Sequence, residues 1–508
     1  MHEATKAAKV SFYDYIVIGG GTAGIPLATT LSEKYSVLLL ERGGSPYGNT
    51  NISSVYNFGS YFLDSSPNSP SQQFISDGVI NARARVLGGG TCINAGFYSR
   101  GEPNFNVEAR LVDEDLVQKS YEWTEKVMVF KPVIQKWQSV FKSALIEAGL
   151  VDNGFTYYHK IGAKIGGTIF DPNGTRHTAA DLLQNANPNG LSVLLHATVH
   201  KILFKTKGKS RPLAYGVIFT DSLGNKHIAY LKKGEKNEII LSAGALGSPQ
   251  LLMLSGIGPK EQLDAQNIKV VHQQPFVGKG MADNPMNSIF VPSPIAVEPT
   301  PLQVVGITRF RSYIEEAGGV NFIFANPSAY QGFSPQMGGF IFEKINGPKS
   351  KGELKITNLD PTDNPSVTFN YFKEPTDLQK CVNGIKTILK AVESKAYSSY
   401  KYANMTVKYI LDLNMKLPVN LIPHPNSFST LEQYCKDTVR TLWHYHGGCR
   451  MGDVVDDEYK VKGVDRLRVI DGSTILNSPG TNPQASVLML GRYMGVTILE
   501  QRLASGKS

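Results

Sequence analysis

Residues 12–41, FYDYIVIGGGTAGIPLATTLSEKYSVLLLE, place a glycine-rich turn between two apolar segments. The first segment, Tyr15–Ile18, is typical of a buried parallel strand. It runs directly into a G-x-G-x-x-G motif formed by Gly19, Gly21 and Gly24. A helix-compatible segment follows over residues 22–34, and a second apolar strand, Val37–Leu40, ends at Glu41. Strand, turn, helix, strand and acid in this order predict a dinucleotide-binding βαβ unit.

The three glycines have different roles in such a unit. Gly19 allows a tight turn, Gly21 lets the backbone approach a pyrophosphate, and Gly24 lets the helix pack close to the strand. The N-terminus of the helix attracts phosphate charge, and Glu41 can accept hydrogen bonds from an adenosine ribose. A glycine turn alone is also common as a plain structural feature, so the prediction depends on the order of the elements.

Length and charge exclude several classes of protein. A chain of 508 residues is long enough for two or three domains. Its net charge of +9 is dispersed. The sequence has no basic stripe with interleaved aromatic residues, so nucleic-acid binding is not expected. No apolar run reaches the length of a membrane helix, and the four cysteines lack metal-site spacing, so we expect no membrane span and no metal. The polar segment 1–9 is not a signal peptide, which leaves an intracellular protein or one whose leader has been removed.

The middle of the chain has several segments with β-like patterning. A capping box at Thr178–Asp181 predicts the start of a helix. A turn at residues 221–225 then favours a small antiparallel meander built from the runs Leu191–Leu195, Val199–Phe204, Ala214–Thr220 and His227–Leu231. Residues 238–254 repeat the order of strand, glycine turn and helix.

A change in composition near Asn284 indicates a second domain. Residues 284–425 are rich in Pro, Phe, Tyr and Asn, and the runs Val320–Ala325 and Gly339–Phe342 predict an antiparallel sheet. Helices are predicted over residues 377–393 and 411–417. Residues 434–503 again have the pattern of the first domain, with a strand that ends in an acid and an apolar helix. The dinucleotide-binding domain is therefore predicted to be discontinuous.

Three stretches resemble the signatures of the glucose–methanol–choline (GMC) oxidoreductases. They are RVLGGGTCINAGFYSR at 85–100, GALGSPQLLMLSGIG at 244–258, and a C-terminal block made of WHYHGG at 443–448, VIDGS at 469–473 and GTNP at 480–483. The resemblance spans residues 13–503. Within the family the sequence is most similar to the plant HOTHEAD-like branch, which also contains the FAD-dependent mandelonitrile (hydroxynitrile) lyases.

The resemblance implies an α/β protein, α+β overall, with FAD as cofactor. A doubly wound, Rossmann-like FAD-binding domain is expected from residues 10–105, 157–283 and 434–508. A substrate-binding domain, built on a largely antiparallel sheet with helices, is expected from residues 106–156 and 284–433. Some members attach FAD covalently through a histidine at the position of Ile93, so noncovalent FAD is expected here.

Family positions carried over residue by residue give the expected FAD contacts. The pyrophosphate and ribose contacts are Gly19, Gly21, Thr22, Ala23, Gly24, Glu41 and Arg42. Contacts to the flavin, ribityl chain, pyrophosphate and adenine are Val86, Thr91, Asn94, Ala95, Gly96, Val199, Trp443, Asp471, Gly472, Asn482 and Pro483.

The same resemblance implies two catalytic residues. His444 matches the family's catalytic histidine and is expected to take the hydroxyl proton of an alcohol while FAD takes the hydride. Asn482 matches a second position that holds His or Asn, and its amide can hydrogen-bond the substrate oxygen without relaying a proton. His446 is expected to be structural.

These residues favour an FAD-dependent alcohol oxidase or dehydrogenase that passes electrons to oxygen or another acceptor. The alternative is a hydroxynitrile lyase with a non-redox flavin, although the lyases carry histidine at the position of Asn482. Long-chain hydroxy fatty acids and aromatic alcohols are the substrate classes that the branch suggests. The remaining expectations are a monomer, a Cys381–Cys435 disulfide, and secretion, which would fit the glycosylation sequons at Asn51, Asn173 and Asn404.

Overall fold

The computed structural model describes residues 1–57, 59, 64, 66, 68–318 and 337–504. It contains a parallel sheet whose strands lie in the spatial order His2–Glu3, Leu191–Leu195, Val37–Leu40, Tyr15–Ile18, Glu238–Leu241 and Leu467–Val469. The central strands are buried along their whole length, as their unbroken apolar sequences require. The predicted βαβ unit is therefore present at the middle of this sheet.

Two glycine-containing helices pack closely against each other beside the parallel sheet. The first, Gly24–Leu31, is shorter at both ends than the predicted segment 22–34, because the chain forms turns before Gly24 and after Leu31. The second is the C-terminal helix Gln484–Ala504, which crosses the first at Gly491 and Gly495. A Cβ added at Gly491 would lie 2.3 Å from the Ala23 carbonyl oxygen, so the helices can approach this closely only with glycine there.

The predicted meander is present, but one of its four strands belongs elsewhere. Strands Thr198–Lys205, Leu213–Thr220 and Lys226–Leu231 form the antiparallel part, and Val10–Tyr13 adds a parallel edge. The assignment of Leu191–Leu195 to this meander was wrong. His196, at φ +51°, turns the chain after that strand, and the strand pairs with Val37–Leu40 in the parallel sheet.

A larger, mostly antiparallel sheet faces the carboxyl ends of the parallel strands. Its strands lie in the order Arg440–Thr441, Pro285–Pro292, Gly338–Ile345, Ser312–Gly318, Val304–Ile307, Gly162–Ile165 and Asp152–Phe155, with only the last pair parallel in the described chain. The predicted run Gly339–Phe342 is part of it, whereas Val320–Ala325 lies outside the described residues. Strands Gly162–Ile165 and Arg440–Thr441 come from ranges predicted for the FAD domain, and the domain boundaries stay a prediction.

The remaining elements connect and cover these sheets. The other α-helices are Thr50–Ser53, Pro103–Glu108, Glu114–Met128, Lys136–Glu147, Gly244–Leu254, Lys260–Ala265, Pro375–Val392, Val407–Asn414 and Leu431–Asp437. Short 3-10 helices are Ala4–Lys6, Val55–Asn57, Gly89–Cys92, Ala179–Asn185, Ser398–Tyr400 and Gly472–Thr474. Small sheets pair Ser71–Ser76 with Val79–Ala84, Phe97–Tyr98 with Gly167–Thr168, Ile257–Gly258 with His272–Gln273, and Gly352–Lys355 with both Lys279–Met281 and Ser366–Val367. The capping box at Thr178 is confirmed, although the helix that it opens is 3-10.

The described residues contain neither a membrane-spanning helix nor a cluster of metal ligands. Among them, no helix has the length and apolar character that crossing a membrane would require. Within the same residues, no group of three or more His, Cys, Asp and Glu side chains is arranged to hold a metal ion.

The predicted Cys381–Cys435 disulfide is present in the structure. It joins helix Pro375–Val392 to helix Leu431–Asp437, both of which cover one face of the antiparallel sheet. The bond closes a loop with a sequence separation of 54 residues, and it therefore restricts the unfolded chain. Cys92 and Cys449 are buried free thiols.

Thiol titration of the denatured protein tests this pairing. Without reductant we expect two reactive thiols, from Cys92 and Cys449, and four after reduction. The Cys381→Ser/Cys435→Ser variant should unfold at a lower temperature, because loss of such a loop closure costs on the order of 2–4 kcal/mol. Four thiols in the unreduced, denatured protein would contradict the disulfide.

Candidate active site

A cavity of about 330 Å³ lies between the carboxyl edge of the parallel sheet and the antiparallel sheet. Three glycine turns reach it, each directly after a buried parallel strand: Gly19–Gly21, Ala243–Gly244 and Asp471–Gly472. In parallel sheets ligands bind in the crevice at the carboxyl ends of the strands. The cavity is therefore where a dinucleotide would be expected.

The backbone of these turns leaves room for a phosphate-bearing group. A Cβ added at Gly21 would meet nothing closer than 3.8 Å, and one added at Gly244 or Gly472 would meet nothing within 4 Å. All three glycines line the cavity, so side chains there would fill it. This cradle fits a pyrophosphate held by backbone N–H groups.

Two buried carboxylates hold the turns in place. Glu41 accepts hydrogen bonds from the N–H groups of Gly20 (2.9 Å) and Gly43 (2.7 Å). Asp471 accepts from Gly244 N–H (2.9 Å), Ser248 Oγ (2.5 Å) and Ser473 N–H (2.7 Å). Burial raises the pKa of both carboxyls, and these donors oppose the effect.

Most of the predicted FAD contacts line this cavity. They are Gly19, Gly21, Thr22, Ala23, Glu41, Arg42, Val86, Asn94, Ala95, Gly96, Val199, Trp443, Asp471, Gly472, Asn482 and Pro483. Gly24 and Thr91 lie outside the lining. Gly24 packs its helix against the Gly19 carbonyl, and the Thr91 hydroxyl donates to Gly88 O (2.7 Å) and accepts from Ala179 N–H (2.9 Å). Both of these residues therefore shape the turns from behind.

His444 lines the cavity and lies on a segment that Asp283 fixes. The buried Asp283 carboxyl accepts from His444 N–H (3.0 Å), Thr441 Oγ (2.7 Å) and Tyr371 OH (2.6 Å). Trp443, between these partners, has φ +58°, a conformation that costs a non-glycine residue on the order of 1 kcal/mol or more. Such strain at a cavity wall is typical of a functional segment.

The Asn284 carboxamide faces the Nδ1 atom of His444. Its nitrogen is 3.4 Å from Nδ1 and 3.0 Å from Ser478 Oγ, and its oxygen has no partner among the described residues. The two ends of an amide have nearly the same shape, so hydrogen-bond chemistry decides which one faces the ring. An oxygen turned toward the ring would accept from Nδ1–H and from the Ser478 hydroxyl, and Nε2 would then be the basic nitrogen.

The imidazole of His444 is held neutral. Burial, the positive charge of Lys344 and the neighbouring His446 lower the pKa of His444 well below its ordinary value. A neutral imidazole can accept a proton, whereas an imidazolium cannot. The site therefore presents a base at neutral pH.

Asn482 lines the same cavity, and its carboxamide is anchored from behind. Lys344 Nζ donates to Asn482 Oδ1 over 2.7 Å and to Glu315 Oε1 over 2.9 Å. The side chains of Lys344 and Glu315 are completely buried. Asn482 can therefore offer only its amide N–H groups to the cavity.

His446 lies close to His444 along the chain, but it does not line the cavity. Its Nδ1 donates to His444 O (3.0 Å), and burial lowers its pKa to about 3. These contacts agree with the structural role expected from the sequence.

Three buried residues that shape the site were missed at the sequence level: Asp283, Glu315 and Lys344. The available signal was the pairs Glu315-Glu316 and Glu343-Lys344, which interrupt strands that are otherwise mostly apolar. Charged pairs in such strands are rare unless the charges are partnered.

Comparison with known proteins assigns the family. The GMC oxidoreductase family models match residues 13–286 and 348–491. The chain belongs to the GMC oxidoreductase family. It is 51% identical to Protein HOTHEAD of Arabidopsis thaliana, covering 97% of this chain and 89% of that protein. The resemblance predicted from the sequence is therefore confirmed.

Other relatives in the same size range differ in their activities. The chain is 44% identical to an (R)-mandelonitrile lyase-like protein of Arabidopsis thaliana, covering 98% and 92% of the two chains. It is 43% identical to "Sinalpyl alcohol oxidase Nec3" of Nesocodon mauritianus, covering 99% and 92%. Among solved structures, formate oxidase of Aspergillus oryzae superposes with a TM-score of 0.80 at 19% identity, covering 97% and 99%. That likeness shows the GMC fold.

FAD is the cofactor of this GMC oxidoreductase. The cradle of Gly21, Gly244 and Gly472 fits its pyrophosphate, and Glu41 fits its adenosine ribose. Ile93 lines the cavity and has no group that could bond covalently to a flavin. Noncovalent attachment stays a prediction.

Two glycine variants should separate cofactor binding from folding. Gly21→Val should fold but purify without flavin, because the new side chain would occupy open cavity space. Gly19→Ala should lower the unfolding temperature, because its Cβ would lie 2.3 Å from Ser242 O at φ +105°. Flavin absorbance, far-ultraviolet circular dichroism and thermal melts measure both effects. Full flavin occupancy in folded Gly21→Val would contradict the position of the pyrophosphate.

Acid precipitation tests how the flavin is attached. The wild-type protein should release its flavin into the supernatant, since Ile93 offers no covalent link. Flavin that remains in the washed precipitate would show a covalent bond.

Proposed function

We propose that this protein oxidises the CH–OH group of an alcohol to a carbonyl. The observation that carries the proposal is the pairing, in one cavity, of a neutral histidine with an amide fixed as a donor: His444 and Asn482. FAD, when bound, supplies the acceptor for the hydride that leaves the alcohol carbon. Side chains of this chain supply the proton acceptor and the hydrogen-bond donor at the substrate oxygen, and oxygen or another external acceptor takes the two electrons from the reduced flavin.

His444 and Asn482 have different roles at the substrate oxygen. His444 takes the hydroxyl proton, and Asn482 N–H donates to the same oxygen as negative charge develops on it. The product is an aldehyde or ketone, and the proton remains on the imidazole until it is passed to solvent. Asp283, Asn284 and the positive-φ conformation at Trp443 hold the base in position.

An apolar wall next to this pair supports an alcohol with a large hydrocarbon part. Met286, Leu302, Phe342 and Leu442 line the cavity from the side of the antiparallel sheet. Such side chains favour an aliphatic chain or an aromatic ring over a sugar. A hydroxy fatty acid or an aromatic alcohol fits this surface, and the alcohol oxidase activity in the name of one relative supports the aromatic class.

The second candidate is cleavage of a cyanohydrin, which the similarity to mandelonitrile lyases supports. His444 could take the cyanohydrin hydroxyl proton, but that proton must then be delivered to the departing cyanide, and the histidine that the lyases carry at the position of Asn482 is absent here. Asn482 can donate a hydrogen bond but not a proton, and its anchoring to Lys344 cannot change that. This difference makes the oxidation the better supported function.

Anaerobic absorbance spectra distinguish the two reactions. The oxidised flavin band should bleach when apolar or aromatic primary alcohols are added, and mandelonitrile should be left intact. Release of benzaldehyde and cyanide from mandelonitrile with the flavin still oxidised, and no bleaching by any alcohol, would establish the lyase instead.

Substitution of His444 tests the assignment of the base. His444→Gln should retain FAD but reduce the rate of flavin reduction by roughly 10²–10⁴-fold, because a positioned base contributes about that much. His446→Gln is the matched control, and its effect should stay below about tenfold. Equal losses in the two variants would contradict the assignment.

The dependence of kcat/KM on pH follows from the same residue. Only the neutral imidazole accepts the proton, so activity falls as pH drops through the pKa of His444. Because that pKa is well below 6.5, kcat/KM should stay level from pH 8 down past pH 6.5. A half-maximal point at or above pH 6.5 would show that His444 is not held neutral.

Secretion is proposed with the function. The Cys381–Cys435 disulfide supports an oxidising compartment, and the sequon residues Asn51, Asn173 and Asn404 are all exposed. Their exposure permits glycosylation during export.

A further inference from the structure

A completely buried ion pair lies directly behind the cavity, in the middle of the antiparallel sheet. Lys344 on strand Gly338–Ile345 and Glu315 on strand Ser312–Gly318 have no side-chain exposure to solvent. Their contact is 2.9 Å long, and the Lys344 ammonium also lies 4.1 Å from the ring centroid of Tyr313. Replacing a buried ion pair by apolar residues is often neutral or stabilising, so stability alone does not explain this one.

The ammonium of Lys344 determines how the Asn482 side chain is oriented. Lysine has three donors and no acceptor, so only the amide oxygen of Asn482 can face it. That contact fixes the amide plane and turns the N–H groups away from the sheet. Among the described residues, no recorded hydrogen bond uses the Asn482 amide nitrogen, and the residue lines the cavity.

Side chains from the same part of the structure also form hydrogen bonds to the two residues before Asn482. Tyr313 OH lies 3.1 Å from Thr481 Oγ, and Asn346 Nδ2 donates to Gly480 O over 2.7 Å. Three successive residues, 480 to 482, are therefore each bonded to a side chain of the two central strands or, in the case of Gly480, of Asn346, which directly follows the strand Gly338–Ile345. The amide is held with the precision that a substrate contact needs.

The charge of Lys344 also reaches the second catalytic group. It lowers the pKa of His444 together with burial and His446. Asp283 also contacts the His444 segment, and its carboxyl, whose pKa burial raises to about 6, accepts from the His444 N–H and from the buried Tyr371 hydroxyl. Glu315 also contacts the ammonium, and burial lowers the pKa of Lys344 while Glu315 raises it.

We propose that Lys344, held by Glu315, is a positioning residue that fixes Asn482 as a donor and biases the cavity toward a negatively charged substrate oxygen. The proposal deepens the alcohol oxidation described above and rests on it for the identity of that oxygen. Lys344 and Glu315 do not line the cavity, so they act on the substrate through Asn482 and His444.

Three variants separate this role from folding. Lys344→Met removes the donor and the charge but leaves Glu315 buried without a partner. Lys344→Met/Glu315→Leu removes both charges together, which a protein interior tolerates better. Glu316→Gln is the matched control, because Glu316 is equally buried on the same strand but faces the other side of the sheet, toward the cluster that contains Ile314.

Two readouts are measured on each folded, FAD-loaded variant. The first is the titration of His444, followed by NMR of protein labelled at histidine Cε1, with the signal assigned by its absence in His444→Gln. The second is the rate constant of flavin reduction at saturating alcohol. The double variant should titrate at higher pH than wild type and reduce flavin at least about tenfold more slowly, as expected when a fixed donor is lost.

The outcomes decide between the proposal and a purely structural pair. A raised His444 titration together with slower reduction in the double variant, with Glu316→Gln within twofold of wild type, supports the proposal. Wild-type values of either readout in the double variant overturn it. If no alcohol reduces the wild-type flavin, the proposed function is contradicted. The His444 titration then still decides whether the Lys344 charge acts on the site.

Discussion

The close approach of backbone at the carboxyl edge of the parallel sheet is the constraint on which the other features depend. A Cβ at Gly24 would lie 2.0 Å from Gly19 O, and one at Gly19 would lie 2.3 Å from Ser242 O. These contacts bring two strand–turn–helix units side by side. Asp471 then ties the third turn to the second through Gly244 N–H, and Ser242 Oγ donates to Ile470 O over 2.8 Å. The phosphate cradle exists because glycine occupies these positions.

The antiparallel sheet supplies the opposite wall and a different kind of constraint. Its central strands bury charged side chains that a sheet core usually excludes. One of them, Lys344, bonds both to Glu315 and to the cavity residue Asn482. The sheet therefore positions the Asn482 side chain in the cavity, while Asp283 fixes the segment that carries His444. One wall is shaped to hold the cofactor, and the other holds His444 and Asn482, the two groups that we propose act at a substrate oxygen.

The sequence predicted the features that depend on short-range order. The G-x-G-x-x-G motif with its flanking strands and Glu41 predicted the βαβ unit and the cofactor class, and the longer signatures predicted the family. The Cys381–Cys435 pairing followed from the family resemblance, but the buried charged contacts between distant segments were not predicted. Glu315 and Lys344 are 29 residues apart on neighbouring strands, and Asp283 lies 161 residues before the N–H group that it accepts from. Leu191–Leu195 was misplaced for the same reason, since an apolar run does not say which sheet it joins.

Rapid mixing of the oxidised enzyme with an alcohol deuterated at its carbinol carbon tests the central claim most directly. The proposed oxidation breaks the carbinol carbon–hydrogen bond, with FAD as the acceptor of the hydride, while His444 takes the hydroxyl proton. This mechanism predicts that deuterium slows flavin bleaching several-fold, since a carbon–hydrogen bond breaks in the step observed. Equal rates for the two isotopic forms would contradict the account, as would an alcohol that is consumed with no change in the flavin spectrum.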